Sequence, residues 1–224
     1  MQKEVKKSWA LFLGIGTMMI AHGLQMQIMG IRSVLEDFSV LTTGIFMSGY
    51  YVGYFIGSKT TPNLVQRVGH IRVFAAFASL ASLSALLAVA YVNPFMWTIS
   101  RFITGISLVS CYVVSESWLN DRATNKNRGQ LLSAYMIIIY LGLSIGMLLL
   151  NVSDPINYEP FILVSVLLSL ALVPILLTKR SAPKFKKIGT MSVAELYKIS
   201  PLGSVSSFCT GIIHGGFFSL IAFY

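Results

Sequence analysis

The chain has 224 residues, of which 55% are hydrophobic and only 11% are charged, and its mean hydropathy is +0.73. Soluble domains carry about a quarter charged residues, so this composition excludes a water-soluble globule and a disordered chain. The net charge of +9 lies in short segments between long apolar runs, which argues against a nucleic-acid-binding face. The remaining class is an integral membrane protein.

Seven apolar runs approach or exceed the length of about 20 residues that a helix needs to cross a bilayer. We predict that each is helical, because hydrocarbon offers the backbone no hydrogen-bond partners. The sequence thus predicts an all-α fold with a six-helix transmembrane bundle and one further helix. The predicted spans are Trp9–Ile31, Val40–Ser58, Val73–Val92, Pro94–Leu119, Leu131–Val152, Pro160–Thr178 and Pro201–Tyr224.

Charge alternates between the connections on the two sides of the predicted bundle. Of the 17 Lys and Arg residues, 15 lie in segments 1–8, 59–72, 122–128 and 179–198. By the positive-inside rule these segments, and with them the N-terminus, are cytoplasmic. The first apolar run exceeds a typical signal-peptide core and no A-x-A site follows it, so we expect it to remain as the first helix.

The chain divides by composition into three parts. Residues 1–178 form the predicted six-helix bundle, 179–200 a basic cytoplasmic linker, and 201–224 the seventh span. Within the linker, Ser192 and Glu195 have the spacing of a capping box, which predicts a short amphipathic helix over Val193–Ile199. A solvated tail ahead of the last span is the alternative interpretation of this segment.

Two charged residues lie within the fourth span, where polar groups cost free energy unless they are needed. Arg101 and Glu116 share a broad face with Tyr112 at helical spacing. We interpret Arg101 as a binding or gating cation. Glu116 fits either a proton-linked or gating acid, or an ion pair with one of the basic residues Arg67, Arg72 and Arg128.

Histidines and tyrosines supply further candidates for a polar pathway. His22 and Gln25 share one face of the first span and could contact a solute, although a neutral histidine bonded between helices is the alternative for His22. His214 stands alone in the seventh span, and His70 is expected to be solvated in a cytoplasmic loop. Tyr140 is a cavity-lining candidate, with core packing as its alternative.

Glycines recur every four residues in several spans, which predicts close helix packing. These positions are Gly49, Gly53 and Gly57 in the second span, Gly142 and Gly146 in the fifth, and Gly211 and Gly215 in the seventh. The sequence has no P-loop, no H-E-x-x-H, no G-x-S-x-G and no His or Cys cluster with metal-ligand spacing. We therefore expect no enzyme activity, no cofactor and no metal site.

Several local patterns resemble the amino-terminal half of a major facilitator superfamily transporter. The family's basic loop between helices 2 and 3 is matched by Arg67 and Gly69, with Arg72 one place late, while Pro62 and Gln66 replace its first Gly and its Asp. Arg101 to Gly105 matches the family's R-x-x-x-G in helix 4. In the fifth helix, Gly142 and Gly146 match, but Met147 replaces the Pro typical of drug/proton antiporters.

A longer stretch, Ser115–Asp121 followed by Asn127–Gly129 and Leu132–Met136, resembles a bacterial branch of permeases with no assigned substrate. The resemblance implies a secondary transporter of a small solute in the bacterial inner membrane, coupled to protons. It also implies two six-helix halves, so we expect a second bundle that this chain lacks, and read the chain as incomplete. The alternative is a half-bundle that serves as a non-transporting scaffold or partner subunit.

Overall fold

The computed structural model describes residues 8–152, 154–178 and 192–220, without the side chains of residues 152, 214 and 216–220. The chain divides into two compact units, Met1–Phe185 and Lys186–Tyr224. The predicted end at Tyr224 and most basic residues of segments 1–8 and 179–198 lie outside the described ranges.

The first unit contains α1 (Trp9–Leu35), α2 (Val40–Val68), α3 (His70–Ala90), α4 (Pro94–Arg122), α5 (Arg128–Leu149), a 3₁₀ turn (Leu150–Val152), α6 (Glu159–Leu170) and α7 (Leu172–Leu176). The second contains α8 (Val193–Ile199) and α9 (Pro201–Leu220).

Within the described residues, 5 helices are long and apolar enough to cross a membrane by length and composition: α1, α3, α4, α5 and the combined stretch Glu159–Leu176. That last stretch is interrupted at Ala171, because Pro174 has no N–H to donate to the carbonyl of Leu170. The second predicted span, α2, is 29 residues long but is not among the 5, since hydroxyls and glycines recur along it. In α9, the part Pro201–Ile213 is a shorter apolar helix.

The helices of the first unit pack in pairs around a shared core. α2 lies mainly against α4, α1 against α5 and α6, and α3 against α4 and α6. Near one end, the indole of Trp97 packs edge-on against Phe46 and Phe38, with ring centroids 5.2 Å away in both cases. Its Nε1 donates to the carbonyl of Ala88 at 2.9 Å, so this large buried side chain leaves no polar atom unsatisfied.

Glycines set the close approach of α2 to α4 and of α5 to α1. A Cβ on Gly53 would overlap the carbonyl oxygen of Phe102, and one on Gly105 would overlap the carbonyl oxygen of Tyr50. Main chain therefore meets main chain at this crossing, as small residues allow. Four further glycines of the first unit lie the same way: Gly49 and Gly57 against α4, and Gly142 and Gly146 against α1. The close contact predicted for Gly211 is absent, since nothing among the described residues lies within 4 Å of a Cβ added there.

A single glycine forms the turn between α2 and α3. Gly69 has φ 90° and ψ 161°, a region that is essentially restricted to glycine, so it ends α2 and lets α3 begin at the next residue. The expectation that His70 is solvated is therefore wrong. His70 is the first residue of α3, is 1% exposed, and its Nε2 lies 3.0 Å from the hydroxyl of Ser117 on α4.

Arg32, near the end of α1, binds the connection that precedes α6. Its Nε donates to the Glu36 carboxylate at 3.1 Å, and its Nη1 donates to the main-chain carbonyls of Asn157 at 3.2 Å and Pro155 at 3.5 Å. The guanidinium also lies over the ring of Phe161, 5.8 Å from its centroid. Arg32 thus satisfies its charge and its donors locally and fixes this connection to α1.

In the second unit, α8 covers the residues over which the capping-box spacing predicts a helix. The Ser192 hydroxyl accepts from the Glu195 N–H at 3.2 Å, and the Glu195 carboxylate accepts from the Ser192 N–H at 2.7 Å. The backbone N–H of Ser192 therefore holds the pKa of Glu195 below its usual value. The described residues of α8 are exposed, so the helix depends on these caps rather than on a core.

Replacing Gly53 by Ala should destabilise the first unit, because the new methyl group has backbone rather than a flexible side chain in its way. We expect a loss of about 1–3 kcal/mol, the usual cost of overpacking, seen as a lower unfolding temperature of the purified protein in detergent. Gly44→Ala on the same helix is the matched control, since nothing lies within 4 Å of its added Cβ. Equal unfolding temperatures for the two variants would contradict the packing interpretation.

Candidate functional site

The most unusual polar group in the described chain is the guanidinium of Arg101 on α4. The side chain is 2% exposed, and its Nε and Nη1 atoms are buried with no hydrogen-bond partner among the described residues. No carboxylate of those residues lies within ion-pair distance of it. A charge buried in this way is costly, so its retention points to a ligand or a moving part rather than to packing.

Tyr50 of α2 connects Arg101 to α1. The Arg101 guanidinium carbon lies over the Tyr50 ring, 4.9 Å from its centroid. The His22 ring of α1 stacks on the same tyrosine, with centroids 5.6 Å apart and planes inclined by 17°. One aromatic ring thus contacts both a cation and a buried imidazole, and His22 Nδ1 has no partner among the described residues.

A hydroxyl network lies one helical turn along from these groups. Gln25 Nε2 of α1 donates to the hydroxyl of Thr104 on α4 at 3.3 Å. That hydroxyl also lies 2.9 Å from the hydroxyl of Ser84 on α3 and donates to the carbonyl of Ser100 at 3.0 Å. The amide of Gln25 is thereby held in place beside the Arg101 and His22 positions.

The site therefore joins residues from four helices: His22 and Gln25 from α1, Tyr50 from α2, Ser84 from α3, and Arg101 and Thr104 from α4. We refer to these six residues as the central polar cluster. It contains one permanent positive charge and several neutral donors and acceptors. Such a set can bind an anionic or polar group, and it lacks the paired acid and base or activated nucleophile of a hydrolytic site.

The other candidate pathway residues are not members of the central polar cluster. The Tyr112 hydroxyl lies 3.0 Å from the sulfur of Met19, and Tyr140 is 48% exposed on α5. Glu116 is exposed towards the end of α4. The side chain of His214 lies outside the described residues, and its helix belongs to the second unit.

The predicted ion pair of Glu116 is not formed. No basic side chain among Arg67, Arg72 and Arg128 comes within ion-pair distance of its carboxylate, and all three are exposed near helix ends. Helical spacing places these residues towards one end of the bundle but does not give the distances between helices. The ion pairs of Glu116 with these three residues are therefore absent from the structure.

Within the described ranges, no group of three or more His, Cys, Asp or Glu side chains could hold a metal ion. Sequence reasoning also missed members of the cluster. Tyr50 and Ser84 are not among the pathway residues that the sequence predicts. The available signal was that Tyr50 follows Gly49 in the glycine stripe of α2, which places it at the edge of a tight helix crossing.

Comparison with known proteins gives the chain a family context. The family model described as Major Facilitator Superfamily matches residues 11–224. The "Uncharacterized MFS-type transporter YcaD" of Escherichia fergusonii is 30% identical over 193 residues, covering 84% of this chain and 50% of that protein. A protein of the same name from Escherichia coli is 27% identical over 194 residues, with 84% and 50% covered. The chain thus spans about half the length of the curated relatives it matches.

Removing the Arg101 charge should stabilise the protein, because no acid among the described residues loses a partner. For Arg101→Gln we expect a gain of about 1 kcal/mol or more, measured as a higher unfolding temperature in detergent. Lys59→Gln removes the same charge from an exposed position on α2 and should change stability by less than about 0.5 kcal/mol. A marked loss of stability in Arg101→Gln would show instead that Arg101 is a structural ion-pair partner.

Proposed function

Because the chain belongs to the major facilitator superfamily, we propose that it acts in a secondary transporter that moves a small solute across the bacterial inner membrane by alternating access. The observation that supports this most directly is the central polar cluster. Its cation is buried without a hydrogen-bond partner among the described residues, at a place where α1 and α4 are joined by the Gln25–Thr104 hydrogen bond and by their shared contacts with Tyr50.

The helix arrangement fits this proposal. α1 is held mainly by α5 and α6, and α4 mainly by α2 and α3, so the two polar faces are supported by different neighbours, although α3 and α6 also contact each other. Polar and charged residues inside a membrane bundle are normally retained for a pathway. We therefore propose that His22, Gln25 and Arg101 contact the solute or a counter-ion.

Proton coupling is the second part of the proposal. His22 lies on the ring that Arg101 also contacts, while Glu116 is an unpaired acid further along the same helix as Arg101. We propose that Glu116 exchanges a proton during the cycle or holds the cytoplasmic gate. This assignment assumes the orientation in which the basic connections, including Arg67, Arg72 and Arg128, are cytoplasmic.

Since the chain spans about half of its curated relatives, we propose that transport requires a second six-helix bundle, supplied by the same gene product or by a partner. Membrane lipids surround the remaining apolar faces. The experiment below therefore uses the complete natural gene product rather than these 224 residues alone.

The proposal can be tested without knowing the solute. Membrane vesicles from cells that produce the complete protein, its Arg101→Ala variant or its Lys59→Ala variant are energised and incubated with a cell extract. Solutes inside the vesicles are then compared by mass spectrometry. We expect the amount of at least one small solute to change with the wild type and with Lys59→Ala, and to change little with Arg101→Ala, which lacks the buried cation.

Protein amounts in the three vesicle preparations must be equal, measured by immunoblot against the same tag. If Arg101→Ala vesicles take up solutes as the wild type does, the assignment of Arg101 to the pathway is wrong. If none of the preparations differs from vesicles without the protein, the transport proposal fails and a non-transporting scaffold becomes the better description.

A further inference from the structure

We infer that the transported solute carries a single carboxylate, which binds to Arg101, an inference that rests on the proposed transport function. The starting observation is a guanidinium that makes no hydrogen bond to any described residue. A buried cation with free donors is most stabilised by an anion that both neutralises the charge and accepts the hydrogen bonds.

The distribution of charge within the first unit supports an anion. The other described charged residues lie at helix ends or in connections, as Arg32, Arg67 and Arg122 do, apart from Lys59 and Glu116, which are exposed. Arg32 is satisfied by Glu36 and by main-chain carbonyls, so it does not compete for the same ligand. Among the described residues nothing compensates the charge of one in the central polar cluster, which a cationic solute would increase and a neutral solute would leave unbalanced.

The geometry of the guanidinium favours a planar acceptor. Tyr50 covers one face of the group, which leaves its edges for hydrogen bonding. The Nε and Nη1 atoms, which belong to different edges, have no hydrogen-bond partner among the described residues, although both atoms are buried. A carboxylate accepts two parallel hydrogen bonds from the two N–H groups of such an edge. A point-like anion such as chloride cannot accept them in this parallel geometry.

A single positive charge also limits how much negative charge the solute carries. A phosphate ester near its second ionisation would bring almost two negative charges against one cation and leave the excess buried. The His22 Nδ1 is also buried without a partner among the described residues, whereas the Gln25 amide and the Thr104 hydroxyl already hydrogen-bond to each other. His22 therefore suits a hydroxyl or amide elsewhere on a monocarboxylate.

Binding can be measured on the complete purified protein with defined probes. Lactate and benzoate are compared with lactamide and benzamide, which keep the shape but lack the charge, at constant ionic strength. The readout is the shift of the unfolding temperature with ligand concentration. We expect at least one carboxylate to raise the unfolding temperature of the wild type and of Lys59→Gln. The corresponding amide should leave the unfolding temperature unchanged. In Arg101→Gln the carboxylate should no longer raise it. The Arg101→Lys variant should bind the carboxylate at least tenfold more weakly, because an ammonium cannot donate two parallel hydrogen bonds from one planar group.

Equal stabilisation by amides and carboxylates, a response retained in Arg101→Gln, or no response of the wild type to either carboxylate would overturn the inference. The vesicle experiment separates this failure from that of transport. If the Arg101-dependent solutes found there are neutral, cationic or dianionic, transport stands and the monocarboxylate inference is wrong. If those solutes carry one carboxylate, both proposals are supported together.

Discussion

The rest of the first unit depends on the close approach of α2 and α4. Phe102 and Tyr50 each turn a main-chain carbonyl towards a glycine of the opposite helix, Gly53 and Gly105 respectively. Since the backbone of Tyr50 is fixed against α4 in this way, its ring has little freedom and lies over Arg101, one turn before Gly105. The glycine contacts and the Tyr50–Arg101 part of the central polar cluster thus belong to the same crossing of α2 and α4.

A matching crossing holds the other half of the site. Gly23 of α1 faces the main chain of Leu143 on α5, and Gly146 of α5 faces that of Ile20 on α1. His22 and Gln25 flank this contact, so their positions follow from it. Each half of the central polar cluster is therefore carried by a tightly joined helix pair, while direct packing between α1 and α4 is slight.

Much of this arrangement could be predicted from sequence, and the family model confirms the predicted family. Helical periodicity places His22, Gln25 and Arg101 on inward faces, and all three are buried. Periodicity gives the phase of each helix but not which helices are neighbours or how far apart they lie. For that reason the Tyr50 contact was missed, and the ion pair expected for Glu116 does not form.

The ends of the helices are likewise only partly predictable from the sequence. Apolar content ends the second predicted span at Ser58, yet α2 continues to Val68, because a helix need not stop where it leaves the apolar layer. The same extension carries α2 through Pro62 to the Gly69 turn, and that turn buries His70. Hydropathy locates the part of a helix that suits a membrane, whereas backbone chemistry such as the positive φ of Gly69 decides where the helix ends.

The contacts of Arg32 have a consequence for how this position can vary among relatives. Two of its hydrogen bonds go to main-chain carbonyls, at Pro155 and Asn157, which any residue type would supply. Its third partner, the Glu36 carboxylate, exists only with an acidic side chain. An alignment should therefore show positions 32 and 36 changing together, while positions 155 and 157 change independently of both, although all of them meet in space. Coevolution would consequently understate the contact between α1 and the connection to α6.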